Sequence, residues 1–293
     1  MTSMSGHLGT NNAPDSSGLG VLLVGHGTRD PRGQQEFTEL VARLAKSRPD
    51  LRVGGGYLEI AQPSIEEAVH QLVSRGARSI VAIPLLLLAA GHAKQDVPEA
   101  LEFAARQHPG LSIRLAGHLG CHDAMLRLAH RRRQTARRLT SLGSAEPQPS
   151  WGEITASQTI DPEDRVLLVV GRGSGDHAAQ AELREFARLS GQSTAERHVR
   201  TCFLAMARPS LDERIAELAE SRFRAIVVQP HILFMGDLLE RVQKRIHEAA
   251  TEDRQRTWYL THHLGPEDEL VETILARKAE ALTGFLPNSS LSP

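Results

Sequence analysis

Cysteine and aromatic residues are scarce in this chain of 293 residues, and positive and negative charges nearly cancel. Two cysteines, Cys121 and Cys202, exclude a disulfide framework and suit a reducing compartment. A formal net charge of −1 gives no overall field that would attract nucleic acid or a membrane surface. The longest apolar run, residues 80–90, is shorter than the roughly 20 residues that span a bilayer. These absences predict a cytoplasmic protein without nucleic-acid or membrane partners.

The first 18 residues lack the basic start and the apolar middle of a signal peptide. They are rich in Ser, Gly and Asn, and we interpret them as a disordered lead-in. In the whole chain, hydrophobic residues make up 40%, which is typical of a protein that buries a core.

The chain contains one sequence pattern twice. The segment "VLLVGHGTRD" at residues 21–30 returns as "VLLVVGRGSGD" at residues 166–176. In this alignment Gly171 lies 146 residues after Gly25. Two further segments recur at the same distance, and a fourth recurs 145 residues later, after a deletion of one residue. The anchors of the four segments are Gly25 and Gly171, Pro63 and Pro209, Pro84 and Pro230, and His118 and His263. Four matches in one order indicate a tandem duplication.

Each copy alternates aliphatic strands with amphipathic helices. Residues 22–24 are aliphatic, and Phe37, Leu40, Val41 and Leu44 then follow the spacing of a helix face. Such alternation is typical of parallel sheets covered on both faces. We therefore predict an α/β fold with two tandem similar domains, each a parallel β-sheet flanked by helices. The predicted boundaries are 1–18 for the lead-in, 19–142 for the N-terminal domain, 143–163 for a linker, 164–285 for the C-terminal domain and 286–293 for a tail.

A cluster of arginines precedes the predicted linker. Its members are Arg131, Arg132, Arg133, Arg137 and Arg138. Such a cluster binds nucleic acid or another anion when a groove or aromatic side chains accompany it. Neither is evident in the sequence here, so we favour a solvated helix face.

The two copies differ at three residues that can bind a metal or move a proton. His26 is replaced by Arg172, Glu59 by Ala205, and His92 is deleted in the second copy. All three lie at or just beyond the ends of predicted parallel strands, where such sheets bind ligands. Because the three are lost together, we interpret them as one site that persists only in the first copy.

The chemistry of this residue set is that of a divalent metal site. Imidazole and carboxylate groups bind Co²⁺, Ni²⁺ or Fe²⁺, and the same set can hold a catalytic zinc ion. A histidine also accepts a proton near neutral pH.

Other polar residues are weaker candidates. His118 and His263 are matched in the two copies, which favours a shared structural role. His122 follows Cys121, but one such pair lacks the spacing of a zinc site. Arg29 can bind a substrate carboxylate or form an exposed salt bridge, and the sequence leaves both open.

Several segments together resemble the long-form sirohydrochlorin chelatases, which are class II enzymes. These segments are "GHGTRDPRGQQEF", "LEIAQPSI", "IPLLLLAAGHAKQDVP", "VGRGSGD" and "PHILFMGDLLERV". The resemblance implies two chelatase-like domains that face each other across an active cleft. It also implies ATP-independent insertion of Co²⁺ into sirohydrochlorin in cobalamin biosynthesis, or of Fe²⁺ in siroheme biosynthesis.

The resemblance assigns roles to particular residues. It implies that His26, Glu59 and His92 are catalytic and that the two histidines bind the metal. Arg29 and Arg172 are then anchors for the substrate carboxylates. The metal is a substrate, no cofactor is permanently bound, and the internal duplication favours a monomer.

Two other functions remain open at this stage. A metal-dependent hydrolase can use the same three ligands around an activated water molecule. A non-catalytic carrier of metal or tetrapyrrole can have the same fold, because a fold does not dictate a function.

Overall fold

The computed structural model describes most of both copies of the repeat. Its described residues are 18–88, 91–139, 150–157, 159–192 and 197–284, without the side chains of 91–94. Residues 1–17 of the predicted lead-in, residues 143–149 of the predicted linker and the whole predicted tail therefore lie outside the described residues.

The first copy alternates strands and helices along the chain, as its hydrophobic pattern predicts. Its strands are β1 (Leu19–Gly25), β2 (Arg52–Tyr57), β3 (Ser79–Pro84) and β4 (Ser112–Leu115). Its helices are α1 (Pro31–Ser47), α2 (Ile65–Ser74), α3 (Gly91–Arg106) and α4 (Asp123–Gln134). The strands pair in parallel in the order β2-β1-β3-β4. Every residue of β1 is buried, because strands pair with both of its edges and helices cover the sheet.

The second copy repeats this arrangement after β5 (Arg137–Arg138), α5 (Trp151–Ser157) and a 3-10 helix (Pro162–Asp164). Its strands are β6 (Arg165–Gly171), β7 (Val199–Phe203), β8 (Ala225–Pro230) and β9 (Thr257–Leu260). Its helices are α6 (His177–Gln192), α7 (Leu211–Ala219), α8 (Asp237–Glu252) and α9 (Asp268–Thr283). The strand order is β7-β6-β8-β9-β5, which matches the first copy apart from the added β5. The predicted α/β fold with two similar units is therefore confirmed.

The second sheet is mixed, whereas the sequence pattern predicts a purely parallel one. The strand β5 pairs antiparallel with β9, through Arg137 with Leu260 and Arg138 with Tyr259. Two charged residues carry no strand periodicity, so the pattern alone could not reveal this strand.

Local capping explains where the helices begin. The side chain of Asp30 accepts a hydrogen bond from Arg32 N at the start of α1. Ser64 and Glu67 form a reciprocal capping box at the start of α2, and Ser210 and Glu213 form its counterpart in α7. None of the helices in the described ranges has the length and apolar character needed to cross a membrane.

The last helix of each copy packs against the sheet of the other copy. Leu270 and Ile274 of α9 lie in the same hydrophobic cluster as Val81 and Ile83 of β3. In the opposite direction, α4 contacts α6 and β8 of the second copy. The exchange of these helices joins the two sheets through buried side chains.

The arginine cluster has a different role from the solvated face that we predict from the sequence. Arg133 is buried and donates hydrogen bonds to the side chain of Gln229 in β8 and to Ser190 O in α6. Arg132 and Arg131 both pair with Glu267, at 2.6 and 2.8 Å. The prediction is wrong for Arg132 and Arg133, because α4 packs between the two copies instead of facing solvent.

A helix also lies inside the predicted linker. The ring of Trp151, at the start of α5, is buried and lies 5.2 Å from the ring of Tyr259. One tryptophan in a short polar segment has no periodicity, so its packing could not be predicted from the hydrophobic pattern.

Candidate active site

His26 is the first residue beyond the buried strand β1. Gly25 pairs with Tyr57 at the end of the β1–β2 ladder, so the chain leaves the sheet at His26. The side chain of His26 is 36% exposed. A central parallel strand therefore presents a half-exposed imidazole at the carboxyl edge of its sheet, where α/β proteins bind ligands.

Gly27 brings the β2–α2 loop against His26. It has φ of +111°, and a Cβ atom there would lie 1.9 Å from Glu59 O. Only glycine allows the two backbones to approach so closely. Two hydrogen bonds then fix the loop, from Leu58 N to Gly25 O at 2.8 Å and from Glu59 N to His26 O at 3.1 Å.

The side chains of His26 and Glu59 meet as a result. Nδ1 of His26 lies 3.3 Å from Oε1 of Glu59, and the glutamate side chain is 54% exposed. A carboxylate near Nδ1 favours the tautomer with its proton on Nδ1, so that Nε2 carries the lone pair. This nitrogen is then the atom available to bind a metal ion or accept a proton.

Of the three predicted site residues, His26 and Glu59 have described side chains. His92 belongs to the first turn of α3, but its side chain lies outside the described residues. Helix α3 begins at Gly91 and helix α8 at Asp237, and the strands before them match at the same offset of 146 residues. The predicted deletion of His92 is therefore wrong, because Leu238 stands at the equivalent position of the second copy. Among the residues that the structure describes, no group of three or more His, Cys, Asp or Glu side chains could hold a metal ion.

The second copy keeps the backbone of this site and lacks its ligands. Gly173 has φ of +93°, and a Cβ atom there would lie 1.7 Å from Ala205 O. Leu204 N and Ala205 N donate hydrogen bonds of 3.0 Å to Gly171 O and Arg172 O. The two copies therefore differ in side chains and not in scaffold.

Two arginines extend from the equivalent turns of the two copies. Arg29 and Arg172 are both exposed, and neither forms a hydrogen bond or ion pair with another described residue. Their guanidinium groups are accessible to an anionic ligand.

The matched histidines join the two copies. Nε2 of His263 lies 2.9 Å from Oε1 of Glu36 in α1. His118 pairs in the same way with Glu182 in α6. The shared structural role predicted for these two histidines is therefore present. The glutamates were missed, although Glu36 and Glu182 stand at matched positions of the repeat.

Two further histidines have structural surroundings. His122 is the N-cap of α4, where its Nδ1 accepts a hydrogen bond from Ala124 N at 3.2 Å. His231 is buried against the ring of Phe186 at 4.2 Å, and neither of its ring nitrogens has a hydrogen-bond partner among the described residues. Burial lowers the pKa of His231 to about 4.

The model of the CbiX family matches both copies, at residues 20–136 and 166–281. A sirohydrochlorin ferrochelatase of Priestia megaterium is 28% identical over 262 residues, which are 89% of this chain and 90% of that protein. A sirohydrochlorin cobaltochelatase of the same organism is 27% identical, over 89% of this chain and 78% of that protein.

Solved structures share the fold. The structure of SirB from Bacillus subtilis with Fe³⁺ aligns with a TM-score of 0.73 at 24% identity, over 90% of this chain and 95% of that one. A cobalt complex of SirB from Bacillus subtilis subspecies spizizenii aligns with a TM-score of 0.69 at 24% identity, over 91% and 96% of the two chains.

Proposed function

The chain belongs to the CbiX family, and from this premise we propose that it inserts a divalent metal ion into sirohydrochlorin without ATP. One observation carries the proposal for this chain. The pair of His26 and Glu59 stands at the carboxyl edge of the first sheet, and the equivalent turn of the second copy holds Arg172 and Ala205. Of these two equivalent turns, the first carries the pair and the second does not.

The reaction requires a group that binds the metal weakly and accepts protons. Insertion removes water from the ion, presents it to the ring nitrogens and takes two protons from the pyrroles. Nε2 of His26 can perform both tasks in turn, with Glu59 holding the ring and stabilising its protonated form. His92 is the second proposed ligand and proton acceptor.

The cysteines are unsuited to the same task. Burial raises the pKa of the Cys121 thiol and of the Cys202 thiol to about 12 in each case. A metal ligand must be the thiolate, which these environments disfavour. Transient binding by imidazole allows the ion to be released to the substrate.

The carboxylates of sirohydrochlorin need cationic partners. Arg29 and Arg172 are exposed beyond the carboxyl ends of β1 and β6. We propose that they anchor the substrate through charge-assisted hydrogen bonds, with Arg172 occupying the position that corresponds to His26.

The proposed physiological ion is Co²⁺, with Fe²⁺ as the alternative. The relatives named above include both a ferrochelatase and a cobaltochelatase at nearly equal identity. By the Irving–Williams order, almost any site of nitrogen and oxygen ligands binds Ni²⁺ more tightly than Co²⁺, and Co²⁺ more tightly than Fe²⁺, so the donor set does not identify the physiological ion.

The proposal also includes the oligomeric state. Two contacts between the copies, Glu36 with His263 and Glu182 with His118, form within one chain. We therefore expect a monomer, and sedimentation equilibrium across a range of concentrations tests this expectation.

Anaerobic spectrophotometry tests the proposed activity. Purified protein is mixed with sirohydrochlorin and Co²⁺, Fe²⁺ or no metal, in the absence of ATP and beside enzyme-free controls. Metal-dependent spectral conversion faster than the control supports a chelatase, and the relative rates rank the two ions. A bound spectrum without acceleration identifies a carrier instead. Stoichiometric zinc retained through purification, without conversion, favours a hydrolase.

A further inference from the structure

Two of the most exposed large apolar residues occupy the same position in the two copies. Ile60 is 55% exposed and Met206 is 67% exposed. They follow Glu59 and Ala205, so each lies next to a turn of the candidate site or its counterpart. Isolated apolar residues on a surface are ordinary, but a matched pair beside a ligand-binding edge points to a shared role.

The backbone at both positions is unfavourable for these side chains. Ile60 has φ of +70° and Met206 has φ of +56°, in the left-handed region. A β-branched residue is rarely found there, whereas Asn and Gly adopt this conformation readily. Strained residues of this kind cluster at ligand sites. Neither burial nor backbone preference therefore accounts for an apolar side chain at these positions.

The second copy forms a depression around Met206. It has a volume of about 610 Å³ and an apolar part contributed by Leu204, Ala205, Met206 and Ala207. At the position of Ala205, the first copy carries the carboxylate of Glu59. The rest of the lining is polar, so the depression is a mixed surface with the volume of a small-molecule site.

We propose that Ile60 and Met206 are positioning residues that contact the apolar ring system of the tetrapyrrole. This inference rests on the proposed function. Arg29 and Arg172 account for the peripheral carboxylates, and the ring system between those carboxylates needs apolar partners. Ile60 contacts it beside the His26–Glu59 pair, and Met206 contacts it from the second copy.

Sirohydrochlorin binding in the absence of metal tests this proposal. The variants are Ile60→Asn and Met206→Asn, because asparagine tolerates the local backbone and removes the apolar contact. Each is expected to weaken binding about tenfold, which corresponds to the loss of part of one buried aliphatic side chain. The melting temperature of Ile60→Asn is expected to stay equal to that of the wild type or rise, which a structural role for Ile60 would not allow.

Two controls make the result specific. Phe103→Asn removes another exposed apolar residue, about 18 Å along α3 from its first residue, and is expected to bind normally. Met206→Leu keeps the apolar contact and is expected to retain wild-type affinity. Unchanged affinity in Ile60→Asn and Met206→Asn overturns the proposal, and so does an equal loss in Phe103→Asn.

The same experiment separates this inference from the proposed function. If the wild type metallates sirohydrochlorin and the asparagine variants bind it normally, only the positioning role fails. If the wild type neither binds nor metallates sirohydrochlorin, the proposed function fails and the positioning role fails with it.

Discussion

His263 of the second copy lies against Glu36 of the first, with Nε2 2.9 Å from Oε1. The other carboxylate oxygen of Glu36 accepts a hydrogen bond of 2.7 Å from Met235 N. The pair of His118 and Glu182 is the reciprocal contact, because each histidine meets the glutamate of the other copy. Reciprocal contacts of this kind are the signature of a twofold interface between two equal units. Here the interface lies within a single chain.

We expect this contact to stabilise the joined copies. Glu36→Gln and His263→Gln should each lower the free energy of unfolding by about 1–2 kcal/mol, because both groups are largely buried and hydrogen-bonded. In a double-mutant cycle at neutral pH, the coupling energy should be about 1 kcal/mol. Urea denaturation of the four proteins measures it. Additive effects would show that the two side chains do not stabilise each other.

Gly27 and Gly173 offer a matched test of the candidate site. An alanine at either position clashes with the next loop and requires a positive φ, so we expect each variant to lose about 1–3 kcal/mol of stability. Gly27→Ala also displaces Glu59 from His26 and should lower kcat. Gly173→Ala disturbs the loop of Met206 and the adjacent turn of Arg172, and should raise KM with little change in kcat.

Steady-state kinetics and thermal unfolding of the two variants measure these effects. If both variants lowered kcat equally, or if Gly173→Ala lowered it more, the assignment of the catalytic site to the first copy would be contradicted.

His231 predicts a pH dependence of stability. Burial lowers the pKa of this residue to about 4 in the folded protein, from a reference value of 6.5. As the pH falls below 6.5, the unfolded chain takes up a proton that the folded chain does not, so stability decreases down to about pH 4. At pH 5 this effect amounts to about 2 kcal/mol.

The matched variant is His231→Leu, because Leu85 occupies the equivalent position of the first copy and is buried. Its free energy of unfolding should exceed that of the wild type, and by about 2 kcal/mol more at pH 5 than at pH 7.5. Urea titrations at the two values of pH measure the difference. A gain that does not depend on pH would show that His231 is not held neutral by burial.

Much of the fold could be predicted from the sequence because its signals are local. Continuous aliphatic segments identify β1 and β6, and the helical spacing after them identifies α1. The repeat then transfers each assignment from one copy to the other. The approach of His26 and Glu59 follows from the same reasoning, because the ends of adjacent parallel strands meet at one sheet edge.

The unpredicted features depend on contacts between distant parts of the chain. The exchange of α4 and α9 and the burial of Arg133 arise from packing between the copies, for which a single sequence carries no periodic signal. The positive φ of Ile60 is imposed by the turn that holds Glu59 beside His26, and an isoleucine gives no hint of it. Glu36 and Glu182 could have been found, since the repeat matches them as clearly as it matches His118 and His263.

The most direct test of the account is the rate of metal insertion by His26→Ala. The control is His247→Ala, which removes an exposed histidine from α8. Both proteins are assayed anaerobically with sirohydrochlorin and Co²⁺, and their folding is checked by circular dichroism. We predict that His26→Ala loses at least about a hundredfold in kcat, as expected when a general base is removed, while His247→Ala keeps the wild-type rate. A folded His26→Ala protein with wild-type turnover would contradict the assignment of metal insertion to the first copy's His26–Glu59 pair.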